Sequence, residues 1–381
     1  MRPWIGYALR RLLTSAGVLL GVLLLTYGLS RLSDVDPVDR YLEASEELDR
    51  SGGSDSDARR YRAAARRLGV DLPPFFFGLS PKHHPDTLYR VLPLSARETI
   101  IAEANKRLSR NGGTASLLPK LSWYGTPNGF TRFAGGVVSG DFGYSLRDGQ
   151  PAARSILRAL RTTAPIALLG LLLAAALGIV LGVQMAWRRL GWLRTACYVL
   201  LSSPGFFLSA LAVSVFAGRG RLFPGPGWVD ASAGVGEWLA HATLPILILG
   251  LPAAAYIALV LEESLLSADR APIREFARMQ GRTEAQVWWG DMLPLGLVPG
   301  VVTVVGLLVP SFIGGSVVVE YVFNIPGLGR LVFESILARD WPLVLGVVTL
   351  SSFATVLGYL MIDLVNAWID PRWRKFVVHV G

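Results

Sequence analysis

The sequence predicts an all-α polytopic membrane protein with six transmembrane helices, both termini on the cytoplasmic side, and an enlarged extracytoplasmic insertion after the first helix. Three observations carry that expectation: an apolar composition, six charge-free windows, and arginines gathered in alternate connections. Of 381 residues, 52% are hydrophobic and only 17% charged, with a mean hydropathy of +0.44. An ordinary soluble domain carries about 25% charged residues. The formal charge is +9, and its cations are nearly all Arg, the only lysines being Lys82, Lys106, Lys120 and Lys375.

The charge-free windows are 12–30, 164–187, 195–218, 242–261, 295–319 and 343–362. Each is close to the roughly 20 residues that a helix needs to cross about 30 Å of hydrocarbon. Lipid offers the backbone no hydrogen bonds, so runs this long and uniformly apolar read as helices. Residues 1–30 are then a short cytoplasmic segment and the first helix. Its apolar run is long for a secretory signal and no small-residue cleavage pattern follows, so an uncleaved helix is expected.

Residues 31–163 are polar and hold most of the acidic groups, which predicts an extracytoplasmic loop or domain. Within it, DARRYRAAARRLG (57–69) reads as an Arg-rich helix, and NGGTASLLPKLSWYGTPNGF (111–130) as a turn-punctuated stretch. SGGSDSD (51–57) reads as a flexible surface excursion. His83 and His84 are adjacent, with no further His nearby in sequence, so loop surface is expected there and no metal site, which needs three or four placed ligands.

Residues 164–369 hold the remaining five helices, including a polar connection at 262–294, and 370–381 form a tail. The basic pieces MRPWIGYALRR, RRLGWLR (188–194), the stretch with Arg270, Arg274, Arg278 and Arg282, and RWRKF (372–376) all fall on one side of the six-helix plan. The loops 219–241 and 320–342 on the other side carry Arg219, Arg221, Arg330 and Arg339 beside carboxylates. Positive charge marks the cytoplasmic side, which places both termini there.

A search for chemistry excludes several classes. There is no GxxxxGK[ST] loop, no HExxH and no GxSxG, so a P-loop ATPase, a zinc protease and a nucleophile-elbow hydrolase lose their footing. No catalytic, metal-binding or cofactor-binding residue is expected. The lone Cys197 can form no intrachain disulfide. The windows contain no Asp, Glu, Lys, Arg or His, whereas ion-coupled carriers usually hold such groups at depth. They do contain Gly178, Gly182, Ser202, Ser203, Pro204, Pro252, Pro299, Pro310, Ser311, Gly314 and Gly315. Ordinary bundle packing accounts for any one of these; together they suggest a bundle that flexes around a wet path.

The connection REFARMQGRTEAQVWWGDMLP (274–294) stands between two apolar windows. EFARMQ has good helix formers before Gly281, giving a short helix with Phe276, Ala277 and Met279 among arginines. Such a helix can lie on lipid or press into a groove on a partner. Glu275, Ala277 and Gly281, then nine residues, then Asp291, Met292, Leu293 and Pro294 resemble the EAA loop of the permease subunits of bacterial ABC importers. This chain carries Phe276 at a position that is usually small, Gln280 where a basic residue is common, and Asp291 in place of an aliphatic.

The resemblance covers nearly all of 1–35 and 134–376. GDFGYS (140–145), SSPGFFLSAL (202–211), GGSVVVEYVFNIPGLGRLVFESILARDWPLVLG (314–346) and DLVNAWIDPRWR (363–374) are similar to blocks of the dipeptide/oligopeptide permease family, B-type subunit. The segment 78–132 is longer than its counterpart there. The resemblance implies a type I ABC importer permease: half of a pore that pairs with a second permease subunit, two cytoplasmic ABC ATPases that bind ATP and Mg, and an extracytoplasmic substrate-binding protein. Membrane lipids complete the expected partners, with no nucleic acid. It implies ATPase coupling through Glu275, Phe276, Ala277, Arg278, Met279, Gly281, Leu293 and Pro294. Ser202, Ser203, Pro204, Pro310 and Ser311 are candidate pore or gate residues, and Glu320, Asn324, Pro326 and Gly327 candidate binding-protein contacts. Asp370 to Arg372 would end the last helix at the interface. Peptides are the implied cargo. A non-peptide solute such as nickel, glutathione or an oligosaccharide is the first alternative, and a stand-alone channel or membrane scaffold the second.

Overall fold

Among the described residues of the computed structural model, four helices are long and apolar enough to cross a membrane: Leu9–Ser30, Ala152–Arg188, Val235–Ser267 and Trp341–Met361. A fifth span arises if the bent pair Gly191–Ser202 and Gly205–Phe216 is taken as one. The structure describes residues 2–32, 36–46, 54–81, 84, 94–111, 119–218, 222–230, 232, 234–269, 273–293 and 316–369. The expected window 295–319 lies almost wholly outside them, as do His83, Pro299, Gly314, Gly315 and the tail 370–381 with Arg372.

The elements in chain order are α1 (Arg2–Ser30), α2 (Pro37–Glu46), α3 (Ser54–Leu68), β1 (Phe77–Pro81), α4 (Leu94–Asn111), β2 (Pro119–Trp123), α5 (Gly129–Ser139), α6 (Ala152–Arg188), α7 (Gly191–Ser202) and α8 (Gly205–Phe216). They continue with α9 (Val235–Asp269), α10 (Ile273–Met279), α11 (Glu284–Val287) leading into a π-turn (Trp288–Met292), α12 (316–322), α13 (Leu328–Leu337) and α14 (Trp341–Ile369).

Two expectations are corrected. The window 195–218 is not one straight helix: α7 and α8 meet at 100°. Pro204 drives its predecessor out of helical geometry, and Ser203 is accordingly extended at φ −77, ψ 124. The fold is also not purely helical, because β1 pairs antiparallel with β2 from Phe77↔Trp123 to Pro81↔Pro119. Two prolines close that ladder, where a missing N–H costs least. The Arg-rich run falls in α3, and Ser54 to Asp57, expected as part of a loose excursion, open that helix.

The chain divides into two compact units. The first comprises Met1–Leu20, Arg158–Phe333 and Leu350–Gly381. Its packing centres on α6 against α9, where a Cβ on Gly178 would lie 2.5 Å from Ile257 Cβ and one on Gly182 would lie 2.9 Å from the Ala258 carbonyl oxygen. Ala174, Ala254 and Ile257 fill the seam, and Met185, Cys197, Ala255 and Ala258 extend it towards α7. Small residues allow this approach, as membrane helices without a hydrophobic drive between them require.

The second unit comprises Gly21–Leu157 and Glu334–Thr349. Its core joins Val38 and Tyr41 of α2 with Tyr61, Ala64 and Ala65 of α3, plus Val70 and Leu146. Asp36 caps α2 through the Val38 N–H at 2.8 Å and accepts from the Tyr61 hydroxyl at 2.7 Å. Asn128 opens α5 with a capping box shared with Thr131. Tyr27 stacks on Phe133 with centroids 5.6 Å apart.

Candidate functional site

The connection after α9 folds as a small buttressed element. Helix α10 ends in a left-handed closure: Gly281 takes φ +71, and the Arg282 N–H donates to the Ala277 carbonyl at 3.2 Å. Open space surrounds Gly281, so the backbone turn alone calls for glycine. Thr283 and Gln286 then start α11 reciprocally, the Thr283 N–H donating to Gln286 Oε1 at 2.9 Å and the Gln286 N–H to Thr283 Oγ1 at 3.4 Å.

This geometry sorts the predicted coupling residues. Ala277 is 3% exposed and packs on Val287 and Trp288. Phe276 and Met279 are 63% and 84% exposed. Glu275 and Gly281 are exposed beside them, and Leu293 is half-buried against the cluster of Ala186, Leu261 and Leu265. Trp288 belongs to that cluster too, and its ring meets Trp187 of α6 edge-on at 5.1 Å. One face of the element therefore grips α6 and α9 while the other offers two large apolar side chains. The Arg278 side chain and Pro294 lie outside what the structure describes.

Of the gate candidates, Ser202, Ser203 and Pro204 form the α7–α8 bend, with Ser203 Oγ donating to the Val199 carbonyl at 2.8 Å. Pro310 and Ser311 lie outside the described residues.

The outer candidates divide sharply. Glu320 is 2% exposed. Its carboxylate accepts from Thr163 Oγ1 at 2.7 Å and from the Arg330 N–H at 2.9 Å. Thr163 Oγ1 also accepts from the Leu328 N–H at 2.8 Å. Gly327 covers the same carboxylate, since a Cβ there would sit 2.4 Å from Glu320 Cδ. Glu320 and Gly327, expected as binding-protein contacts, thus lie in the interior of this turn and shape it. Asn324 and Pro326 are exposed, and Asn324 adopts a left-handed φ of 56 while accepting from the Arg330 guanidinium. Burial pushes the Glu320 carboxyl above its ordinary range, opposed by its donors Thr163, Arg330, Ser316 and Gly329.

The sequence profile of binding-protein-dependent transport system inner membrane components matches residues 154–375, a stretch that contains this whole arrangement. The chain belongs to that family. It is a multi-pass inner-membrane transport protein, and the proteins it is similar to are transport permeases rather than enzymes. The probable peptide ABC transporter permease protein y4tP of Sinorhizobium fredii is 33% identical over 252 residues, 65% of this chain and 80% of the relative. The oligopeptide transport system permease protein AppB of Bacillus subtilis is 30% identical over 250 residues, 64% of this chain and 79% of its own length. The glutathione transport system permease protein GsiC of Pectobacterium atrosepticum is 32% identical over 252 residues, covering 65% and 79%.

Sequence reasoning missed two polar contacts of this family member. Arg194 of α7 holds Glu262 of α9 in a two-point ion pair, Nε to Oε2 at 3.0 Å, with the Glu262 side chain 5% exposed. Both residues sit immediately outside charge-free windows, the one sequence signal that could have found them. In the second unit Ser145 Oγ donates to buried Asp340 at 2.6 Å, joining two of the quoted blocks. Burial raises the Asp340 carboxyl, against the hydrogen bond from Ser145.

Proposed function

We propose that the chain forms one half of the translocation pore of an ABC importer for di- or oligopeptides, pairing with a second permease subunit. Two ATPases on the cytoplasmic side supply the energy, and an extracytoplasmic binding protein delivers the peptide. The observation that carries the coupling role is the two-faced build of α10: Phe276 and Met279 outward, Ala277 inward on Val287 and Trp288. Exposed apolar anchors on a short helix suit a groove in a partner. The partner-facing side chains connect through Trp288 to Trp187, Leu261 and Leu265.

In this reading ATP-driven closure of the ATPases pushes on α10, and the push is delivered to the ends of α6 and α9. The α7–α8 bend at Pro204 is the candidate point where tilting changes the pore. Access alternates because each nucleotide state favours one arrangement of the bundle. Both termini lie in the cytoplasm, consistent with the arginine distribution. Peptide as cargo rests on relatives named for peptide and oligopeptide transport. Glutathione, named for another relative, is the alternative cargo.

The test is co-purification in mild detergent of the tagged chain beside Gly281→Asp. That substitution meets open space at a left-handed position that Asp tolerates better than most residues. Wild type should bring down two ATPases and a second permease, and the variant should keep the permease and lose the ATPases. A wild-type chain that elutes without any ATPase, or a variant that retains them in full, refutes the coupling assignment.

A further inference from the structure

The second unit encloses a cavity of about 530 Å³ that the transport reading does not use. Its size falls within the roughly 300–1,000 Å³ of small-molecule pockets. Among the described residues, the wall carries four guanidinium groups, Arg31, Arg67, Arg97 and Arg132, against one carboxylate, Asp141. Each arginine donates to a neutral oxygen. Arg31 Nε reaches the Tyr27 hydroxyl at 3.1 Å, Arg67 the Tyr41 hydroxyl at 3.1 Å, and Arg97 the Val70 carbonyl at 3.3 Å. Arg132 caps α3 through the Arg66 and Arg67 carbonyls at 2.7 and 2.9 Å. These bonds hold the cations in place in the wall. Burial lowers the pKa of Arg97, with Arg31 adding to it against the larger upward pull of Tyr61 and Asp36.

A second, independent observation points to a ligand. The Trp341 indole Nε1, in the same wall, is buried and has no hydrogen-bond partner among the described residues. A buried donor left unpaired costs about 1–3 kcal/mol. A cavity with excess positive charge and an unmet N–H is completed by an acceptor that bears negative charge.

The position of the cavity narrows the class. Ser30 and Arg31 stand at the end of the span Leu9–Ser30, and Trp341 opens the span Trp341–Met361. Ends of spans lie at headgroup depth, where Trp and Arg are at home. Aromatic walls such as Tyr27 and Phe133 suit the less polar part of an amphiphile. We propose that this cavity binds the phosphate headgroup of an anionic phospholipid, held by Arg31 and Arg97 and by the Trp341 N–H.

The experiment is native mass spectrometry of the full-length chain, delipidated in neutral detergent and titrated with phosphatidylglycerol, phosphatidylcholine or inorganic phosphate. Phosphatidylglycerol should be retained about tenfold better than phosphatidylcholine, as a charge-assisted site requires. Arg31→Gln with Arg97→Gln should abolish that preference. Trp341→Phe keeps an aromatic ring without the N–H donor and should weaken phosphatidylglycerol retention severalfold at an unchanged melting temperature, which keeps the test decisive if the arginine variant fails to fold. Equal retention of the two lipids, or full retention in Trp341→Phe, overturns the proposal. Inorganic phosphate that displaces phosphatidylglycerol at equal concentration identifies a soluble phosphate as the ligand and overturns the lipid assignment. Displacement by the dipeptide Glu-Glu identifies a cargo site and overturns it too.

Discussion

Thr163 in α6 donates its hydroxyl to Glu320 at 2.7 Å and accepts the Leu328 N–H at 2.8 Å, so one threonine fastens both sides of the α12–α13 turn. The carboxylate has the Arg330 N–H as a further donor and Gly327 as its lid. A buried charge with several donors is held firmly, yet its desolvation still raises the proton affinity of the folded state.

The first prediction concerns pH. Glu320 binds its proton more tightly in the folded chain than in the unfolded one, so its ionisation costs stability. The contribution is most favourable in acid and is lost as pH rises from the ordinary glutamate value through the raised folded one. Thermal unfolding in detergent between about pH 4 and 8 should show this decline, and Glu320→Gln should flatten it. Thr163→Val, which leaves the carboxylate short of a donor, should cost about 1–3 kcal/mol. An identical pH profile in wild type and Glu320→Gln would refute the assignment.

Glu320 also shows where sequence reading stops. A glutamate beside a Pro-Gly turn reads as loop surface, and its burial depends on a threonine 157 positions away. Four of the membrane spans were legible because absence of charge is a local property, whereas the 100° break at Pro204 was not read, although Ser-Pro is the local signal for it. The inclusion of Glu334–Thr349 in the second unit was not legible, since that unit is assembled from distant segments. The α10 element was half legible: its helix could be read from propensity, but the inward turn of Ala277 is set by Val287 and Trp288.

The second prediction separates the two faces of α10. Phe276→Ala and Met279→Ala remove exposed side chains and should change stability by no more than about 0.5 kcal/mol. Both should weaken ATPase co-purification by about tenfold, as loss of an apolar anchor does. Ala277→Leu overpacks the contact with Val287 and should lower stability by about 1–3 kcal/mol. Melting temperatures measured alongside pull-down ratios give the comparison; a Met279→Ala variant with a lowered melting temperature would contradict the outward placement.

The third prediction tests the α6–α9 seam. A Cβ on Gly182 would stand 2.9 Å from the Ala258 carbonyl oxygen and 3.2 Å from Ala258 Cα, both backbone atoms. Backbone cannot step aside as a flexible side chain can. Gly182→Val should therefore force the helices apart, costing about 3 kcal/mol or more and showing as aggregation in size-exclusion chromatography. Gly21→Val in α1, where nothing lies within 4 Å, is the matched control and should elute as wild type does.

The fourth prediction concerns Arg194 and Glu262, which link α7 to α9 with the carboxylate almost fully buried. Removing the cation alone strands a buried negative charge, so Arg194→Met should destabilise by about 3–5 kcal/mol. Replacing both, Arg194→Met with Glu262→Leu, removes the stranded charge and should recover most of that loss. The arginine is partly exposed, so water screens the pair and the recovered fraction reports how far burial, rather than attraction, sets the cost. A double-mutant cycle on melting in detergent measures it. Additive losses would mean that the two groups do not interact in the membrane-embedded protein, and that α7 is held on α9 by apolar packing such as that around Cys197 and Ala258.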